Sequence, residues 1–266
     1  MRTTVLEYDV AKIVESVKAG KRVDGRAFEQ PREFTLELDM CKNAESSAKI
    51  CLGETQVIAG IKIAVDKPYP DNPDEGAISC GAELLALAHS EYEAGPPSFD
   101  EIEVARVVDR GIRESKAIDF TKLCIKEGES CWIAFMDFYA LNADGNLFDA
   151  GSIAGLAAFM TAKMPKLDEK NRIVKHEYAG KLELKRLPLL TTFVKVGGQI
   201  LVDPTYLEEK ASEARFSVAT TDDGFMSAMQ KGPGSFSVEE INKMIDLSFK
   251  VADERRKKLV KIVKGN

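Results

Sequence analysis

Histidine is scarce in this 266-residue chain, which contains only His89 and His176. Two histidines leave little for a histidine-based metal centre, catalytic triad or general base. Cysteine offers no better set of ligands, because its five copies are odd in number and include no Cys-x-x-Cys pair. The sequence therefore predicts free, mostly buried thiols, and it argues against a zinc site or a disulfide framework.

Long apolar runs are also missing. No stretch reaches the roughly eighteen apolar residues that a membrane span needs. The segment Met1–Asp9 is polar and lacks the apolar core of a signal peptide, so we expect a cytoplasmic protein. The net charge is −6 and the isoelectric point is about 5.3. A broad basic face for nucleic acid is therefore not expected, and any such contact should be local or shared with a more basic partner.

The order of hydrophobic periodicities predicts the α+β class with two layers. Helical periodicity occurs over 9–19, 99–116, 152–164 and 237–263. Strand-like segments lie between these helices, with hairpins expected at 53–54 and 222–224. We predict four parts, which are an N-terminal helix with its loop over 1–29, a first sub-domain over 30–165, a charged connector over 166–188 and a second sub-domain over 189–266.

Four segments carry a resemblance to a known family. They are Arg22-Val23-Asp24-Gly25-Arg26 with Arg32, Leu52-Gly53-Glu54-Thr55-Gln56-Val57, 137–149 with Gly151-Ser152, and Val202-Asp203-Pro204-Thr205 with Glu208-Glu209. In this order and spacing, the chain resembles the RNase PH family of phosphate-dependent exoribonucleases over roughly residues 21–260. The resemblance implies an RNase PH-type fold, with mixed sheets packed against helices in two sub-domains. Each motif alone is ordinary turn chemistry, such as a salt-bridged Arg-x-Asp-Gly-Arg turn.

The phosphate-holding groups of active members have no counterpart here. Active members carry an arginine pair before a long helix, and the matching positions in this chain are Ser98, Phe99 and Asp100. They also carry a Gly-Gly-Thr-Arg-Thr-like turn at a helix N-terminus, where this chain reads Ala150-Gly151-Ser152-Ile153-Ala154. Phenylalanine and isoleucine offer an anion no donor, and aspartate repels it. The hydroxyl of Ser152 remains, and a helix N-cap explains it equally well.

The acidic groups are altered as well. Active members place two aspartates six residues apart in the second sub-domain, and the matching positions here are Glu209 and Arg215. An arginine repels a divalent metal and cannot act as a base. Asp203 and Glu208 are retained, but a carboxylate beside a turn is more often a solvated or capping group.

The resemblance therefore implies a non-catalytic subunit of the archaeal exosome, a complex that degrades RNA from 3′ to 5′. In that branch the subunit pairs with an active RNase PH-like subunit, three pairs close a hexameric ring, and RNA-binding cap subunits cover one face. No cofactor is expected in this chain, since phosphate and magnesium would bind at the partner's active site. Two alternatives stay open, namely an active phosphate-dependent exoribonuclease and a purely structural ring subunit that never touches RNA.

Three arginines on the helix over 99–116 are the candidate RNA-binding residues. Arg106, Arg110 and Arg113 recur at i, i+4 and i+7, which places them on one stripe. The resemblance implies that this helix faces the neighbour's active site and that Arg106 and Arg110 contact single-stranded RNA, with Gly111 allowing close approach. The alternative is ion pairing within the helix, between Glu103 and Arg106, Asp109 and Arg113, and Arg110 and Glu114.

A second basic run, Arg255-Arg256-Lys257-Lys258, is a weaker candidate. It lies towards the end of the last predicted helix. Cations there interact favourably with the helix dipole, and this is the simpler interpretation of the run.

Overall fold

Alternating apolar residues build a six-stranded mixed sheet in the first half of the chain. The computed structural model describes residues 2–265. The strands are β1 (Phe34–Leu38), β2 (Ser46–Leu52), β3 (Thr55–Asp66), β4 (Ala77–Leu84), β5 (Cys124–Lys126) and β6 (Ser130–Asn142). Their order is β1-β2-β3-β6-β4, with β5 also on β6; β4 is parallel to β6 and the other pairs are antiparallel. The predicted β2–β3 hairpin is confirmed, and Gly53 turns it at a φ of 56°.

The charged connector forms a two-stranded antiparallel ribbon. Its strands are β7 (Lys163–Leu167) and β8 (Ile173–Lys181). Most of β8 is exposed, because nothing but β7 pairs with it among the described residues. The many charged residues of this segment therefore belong to a solvated ribbon.

The second half builds a smaller antiparallel sheet. Its strands are β9 (Leu189–Val196), β10 (Gln199–Val202), β11 (Ala214–Thr220) and β12 (Met226–Lys231), in the order β10-β9-β11-β12. The predicted hairpin around 222–224 is confirmed as the β11–β12 connection. Buried residues of β9 point alternately to two apolar clusters, with Phe193 in one and Val194 in the other, so both faces of this sheet are covered.

Five helices within residues 2–265 complete the α+β architecture. They are α1 (Arg2–Lys18), α2 (Phe99–Glu114), α3 (Leu147–Thr161), α4 (Tyr206–Lys210) and α5 (Val238–Gly265), with a 3₁₀ turn over Phe120–Leu123. The predicted starts of α2 and α5 are confirmed, and α5 has the expected capping box, in which Ser237 Oγ accepts from Glu240 N and Glu240 Oε2 accepts from Ser237 N. α1 begins well before the predicted Asp9. None of the helices described is long and apolar enough to cross a bilayer.

The starting point predicted for α3 is wrong. The helix begins at Leu147 because Asn146 caps it, with the Asn146 side chain accepting a hydrogen bond from the Asp149 amide at 3.3 Å. Ser152 is therefore a mid-helix residue, and its hydroxyl accepts a hydrogen bond from the Leu190 amide of β9 at 3.1 Å. The N-cap interpretation of Ser152 fails for the same reason.

Helix α3 is buried on every side and lies between the two sheets. All residues from Leu147 to Phe159 are buried. Small side chains are required at this depth, since a Cβ at Gly155 would stand only 2.6 Å from Met136 Sδ of β6. The position of α3 between the sheets places its N-terminus at the junction of the two halves, where the charged residues of the candidate site lie.

Candidate functional site

Asp203 is the centre of a buried charge cluster at the end of β10. Its side chain is fully buried, and its backbone is left-handed, at a φ of 51°. Arg32 Nη2 lies 2.9 Å from Oδ1, Arg255 Nη2 lies 3.3 Å from Oδ2, and Asn146 Nδ2 donates to Oδ1 at 2.5 Å. Burial alone would raise the pKa of Asp203, but Arg255 and Arg32 outweigh it and hold that pKa well below its usual range.

Two further buried ion pairs tie the same region together. Arg22 donates to both carboxylate oxygens of Glu208, at 2.8 and 2.6 Å, and Arg255 donates to Asp149 at 2.6 Å. The predicted salt-bridged turn is confirmed, with Arg26 Nε 2.6 Å from Asp24 Oδ2. The N-terminal segment is thereby joined to the second half of the chain.

These contacts decide between the interpretations of the retained acids. The expectation that Asp203 and Glu208 are solvated is wrong, since both are buried and bound by arginine. The capping interpretation is confirmed for Glu208, whose carboxylate accepts from the Thr205 amide at 2.9 Å at the start of α4. Their role in this geometry is to hold the fold together.

Glu209 and Arg215 lie in a small cleft between α2, α3 and the second sheet. The cleft has a volume of about 120 Å³ and is lined by Leu84, Tyr92, Asp100, Glu103, Val104, Leu147, Phe148, Glu209 and Arg215. Arg215 Nη2 donates to Glu103 at 2.5 Å, and its guanidinium stands 4.6 Å from the centre of the Phe148 ring. A cation already bound to a carboxylate fills the place where active family members have their second acid, so this cleft does not favour a divalent metal.

Burial makes the carboxyl of Glu209 a weaker acid than an ordinary glutamate. Glu209 Oε1 accepts a hydrogen bond from the Asn146 amide at 2.9 Å. Burial raises the pKa of this carboxyl from its ordinary 4.5 to about 7, against the opposing effects of that hydrogen bond and of Arg215.

Among the described residues, no cluster of three or more histidine, cysteine, aspartate or glutamate side chains suits a metal ion.

The raised pKa of Glu209 predicts a pH-dependent contribution to stability. The folded chain binds this proton more tightly than the unfolded chain, so the stabilisation is complete below pH 4.5 and is lost as the pH rises through about 7. Glu209→Gln mimics the protonated form and should be more stable than the wild type by up to about 3 kcal/mol at pH 8, with little difference at pH 4. Urea unfolding at both pH values measures this, and an equal difference at the two would contradict the assignment.

The positions matched to the phosphate-holding groups have other roles. Ser98 caps α2, its hydroxyl accepting from the Glu101 amide, and Phe99 is 93% exposed in the first turn. The segment from Ala150 to Ala154 is entirely buried inside α3 and is no N-terminal turn. Neither place presents a set of donors to an anion.

The three arginines of α2 differ in their surroundings. Arg106 is exposed and has no ion pair among the described side chains. Arg110 is exposed and donates to Gln230 of β12 at 3.4 Å. Arg113 binds both oxygens of Asp109, at 3.0 and 2.8 Å, and the Ile78 carbonyl at 3.0 Å.

Of the three ion pairs predicted within α2, only one forms. Asp109 pairs with Arg113 as expected, whereas Glu103 binds Arg215 instead of Arg106, and Arg110 makes no pair with Glu114. Ion pairing within the helix therefore explains Arg113 but neither of the other two arginines. Arg106 and Arg110 present free positive charge on the surface of α2.

Two other basic or backbone features turn out to be structural. Gly111 is buried and faces the second sheet, where an added Cβ would lie 3.4 Å from Ala219, so this glycine packs against β11 and does not offer RNA a close approach. In the run from 255 to 258, Arg255 and Arg256 are buried, and Arg256 donates to the Thr220 carbonyl at 3.2 Å. The run lies inside α5 and not at its end.

The sequence profile of the 3′ exoribonuclease family, domain 1, matches residues 30–165, and that of domain 2 matches residues 186–251. The chain belongs to the RNase PH family. A relative named exosome complex component Rrp42, from Thermococcus gammatolerans, is 43% identical over 256 residues, covering 95% of this chain and 94% of the relative. The protein of the same name from Methanopyrus kandleri is 41% identical over 250 residues, covering 92% and 93%.

Solved structures of the RNase PH family agree in fold. A chain from the structure described as the Archaeoglobus fulgidus exosome with RNA bound to the active site superposes with a TM-score of 0.90. It is 38% identical, and the match covers 96% of this chain and 99% of that one. A chain of an archaeal exosome core matches with a TM-score of 0.85 at 36% identity, covering 96% and 98%. The RNase PH-type fold implied by the motifs is confirmed.

Proposed function

We propose that this chain is a non-catalytic subunit of an exosome that degrades RNA from 3′ to 5′. The observation that carries the proposal is the TM-score of 0.90, over 96% of the chain, with a subunit of an RNA-bound archaeal exosome. The site geometry supports the non-catalytic part. The cleft between the two halves holds a Glu103–Arg215 ion pair, and the segment at 150–154 is sealed inside a helix.

In this proposal the working active site belongs to a partner. An active RNase PH-like subunit pairs with this chain, three such pairs close a hexameric ring, and RNA-binding cap subunits cover one face. Phosphate and magnesium bind at the partner's site. We further propose a cytoplasmic location, with which the five unpaired cysteines of this chain agree.

The proposed contribution of this chain to RNA binding is electrostatic. Arg106 and Arg110 are exposed, lie one turn apart on α2 and have no carboxylate partner in the part of the chain described. A guanidinium in that state suits the oxygens of a backbone phosphate. Arg113 is predicted to join them, but the Asp109 carboxylate and the Ile78 carbonyl already occupy its Nε and Nη2 donors.

Co-purification tests the assembly. The tagged chain, co-expressed with an active RNase PH-like subunit from the same organism, is expected to elute with it in a one-to-one ratio and at the mass of three pairs. Elution of the tagged chain without the second subunit would contradict the proposed ring.

The salt dependence of RNA binding tests the arginines. In the assembled ring, replacing Arg106 and Arg110 with alanine should lower the slope of log K against log salt by about 1.4 in magnitude, or about 0.7 for each phosphate contact. The loss should be similar for different RNA sequences, because a phosphate contact reads no base. Replacing both with lysine should restore part of the affinity.

Arg172→Ala provides a matched control for this titration. Arg172 is an exposed arginine with one carboxylate partner, Asp168, and it lies on the β7–β8 ribbon outside α2. It should leave the slope unchanged. An unchanged slope and affinity in the double variant would instead favour a purely structural ring subunit.

A further inference from the structure

Phe99 is the most exposed large apolar side chain among the described residues, with 93% of its surface accessible. Two other exposed aromatic residues have cationic neighbours, since Arg186 lies over Phe225 at 5.1 Å and Lys163 over Tyr178 at 5.8 Å. No such contact, and no aromatic stacking, covers Phe99 in the part of the chain described. Its side chain therefore contributes little to the fold, while the cap at Ser98 starts the helix independently of it.

The position of Phe99 aligns it with the two free arginines. Arg106 follows by seven residues and Arg110 by eleven, close to two and three full turns of a helix, so all three lie on one line along α2. Ile102, which is 47% exposed, flanks the apolar end of this line. The line is apolar at the N-terminal end of α2 and cationic two turns further on, about 10 Å away.

Charge decides which part of a ligand each end accepts. At the apolar end, Asp100 is an exposed acid, while Glu101 is bound to backbone amides of Ser98 and Leu84. Phosphate is repelled from such a place, but a neutral ring is not. At the other end, the two arginines attract phosphate. The line thus suits a ligand that combines a flat neutral ring with anionic groups spaced along a chain, which is the chemistry of a single-stranded nucleic acid.

We propose that Phe99 is a base-stacking platform that holds one nucleobase of single-stranded RNA against the N-terminal turn of α2. The proposal rests on the RNA contacts proposed for Arg106 and Arg110 and adds the first contact in this chain to a base. Stacking on a phenyl ring is available to every base, so Phe99 increases affinity with little sequence preference. Phe99, which stands at a position matched to the phosphate-holding arginines of active family members, thereby contacts a base instead of a phosphate.

An abasic ligand separates stacking from charge. The assembled ring carrying Phe99→Ala should bind a single-stranded oligoribonucleotide about tenfold more weakly than the wild type, within the range of alanine substitutions at stacking residues. It should bind an abasic oligonucleotide of the same length as tightly as the wild type does, with an unchanged salt slope. Val238→Ala is the matched control, because Val238 also opens a helix capped by serine and is 68% exposed.

A fluorescent variant gives a second measurement. Trp132 is the single tryptophan of the chain and is 9% exposed, so Phe99→Trp adds a reporter that dominates the exposed signal. Its emission should be quenched when the oligoribonucleotide binds, and not when the abasic oligonucleotide binds. Phe99→Trp should also retain wild-type affinity, because indole stacks at least as well as phenyl.

Three outcomes would overturn this proposal. Equal weakening for both ligands would mean that Phe99 acts through the fold, and no weakening for either would mean that no base reaches it. Loss of ring assembly in Phe99→Ala would make it a protein contact. Failure of the proposed function itself is seen separately, as an unchanged salt slope after replacement of Arg106 and Arg110 or as the absence of a one-to-one partner.

Discussion

Purified alone and incubated with RNA, phosphate and magnesium, the chain is expected to release nucleoside diphosphates at least about a thousandfold more slowly than an active member of the RNase PH family. Loss of one preorganised donor set typically costs this much. Here two donor sets and one acid are replaced, and the replacements are fixed by the fold. Phe99 projects into solvent, the helix around Ile153 is buried, and Arg215 is bound to Glu103.

The measurement is a single-turnover assay with end-labelled RNA, run beside an active homologue. The same preparation, after assembly with an active partner, serves as the control for correctly folded protein. Release by the isolated chain at a rate near that of the homologue would contradict the non-catalytic assignment and favour the alternative of an active exoribonuclease.

Asp203→Asn is expected to lower the free energy of unfolding by about 3–5 kcal/mol, the usual cost of removing one partner from a buried ion pair. Asparagine keeps the shape of the side chain and tolerates the left-handed backbone at this residue. The variant removes the negative charge that Arg32 and Arg255 share, and it places an amide NH2 where a carboxylate oxygen accepts hydrogen bonds. The melting temperature should fall by roughly 10 °C.

The stability difference between the wild type and Asp203→Asn should depend on pH. Because the pKa of Asp203 is lowered in the folded chain, its stabilisation is present above the ordinary value of 3.8 and is lost as the pH falls below it. The gap between wild type and Asp203→Asn should therefore close in acid. Asp253→Asn is the control, since Asp253 forms an exposed pair with Lys257 and should change stability by less than about 1 kcal/mol. A similar small change for Asp203→Asn would show that the cluster does not stabilise the fold.

Local patterns predicted the elements whose signals lie within a few residues of one another. The helix from Phe99 and the hairpin at Gly53 follow from a cap, a periodicity or a turn that can be seen in the sequence. The start of α3 was mispredicted because Asn146 caps it from a left-handed conformation, inside a segment that is also a turn signal. Strand β4 follows less directly from the sequence, because a buried apolar run has no period that distinguishes a strand from a helix.

The candidate site was less predictable, since its contacts join distant parts of the chain. Nothing near Asp203 in sequence indicates that Arg32 and Arg255 bind it, and the pairing of Glu103 with Arg215 replaces a local pair that the helix pattern favours. Phe99 did have a visible signal, because it is an aromatic residue at the first position of a helix and outside the buried apolar stripe. That Arg106 has no ion pair could be seen only in the structure, because Glu103, its predicted partner, binds Arg215 instead.

The reach of the Asp203 cluster has a consequence for synthesis on the ribosome. Arg32 emerges 171 residues before the aspartate that binds it. Since the ribosome adds about 5–20 residues per second, Asp203 is synthesised roughly 10–35 s after Arg32. Throughout that interval three arginines, at positions 22, 26 and 32, lack the carboxylates from the second half that they bind in the finished chain. The first half therefore reaches its full stability only after the second half has been made. A message truncated before codon 203 yields a chain in which these three arginines never meet those carboxylates.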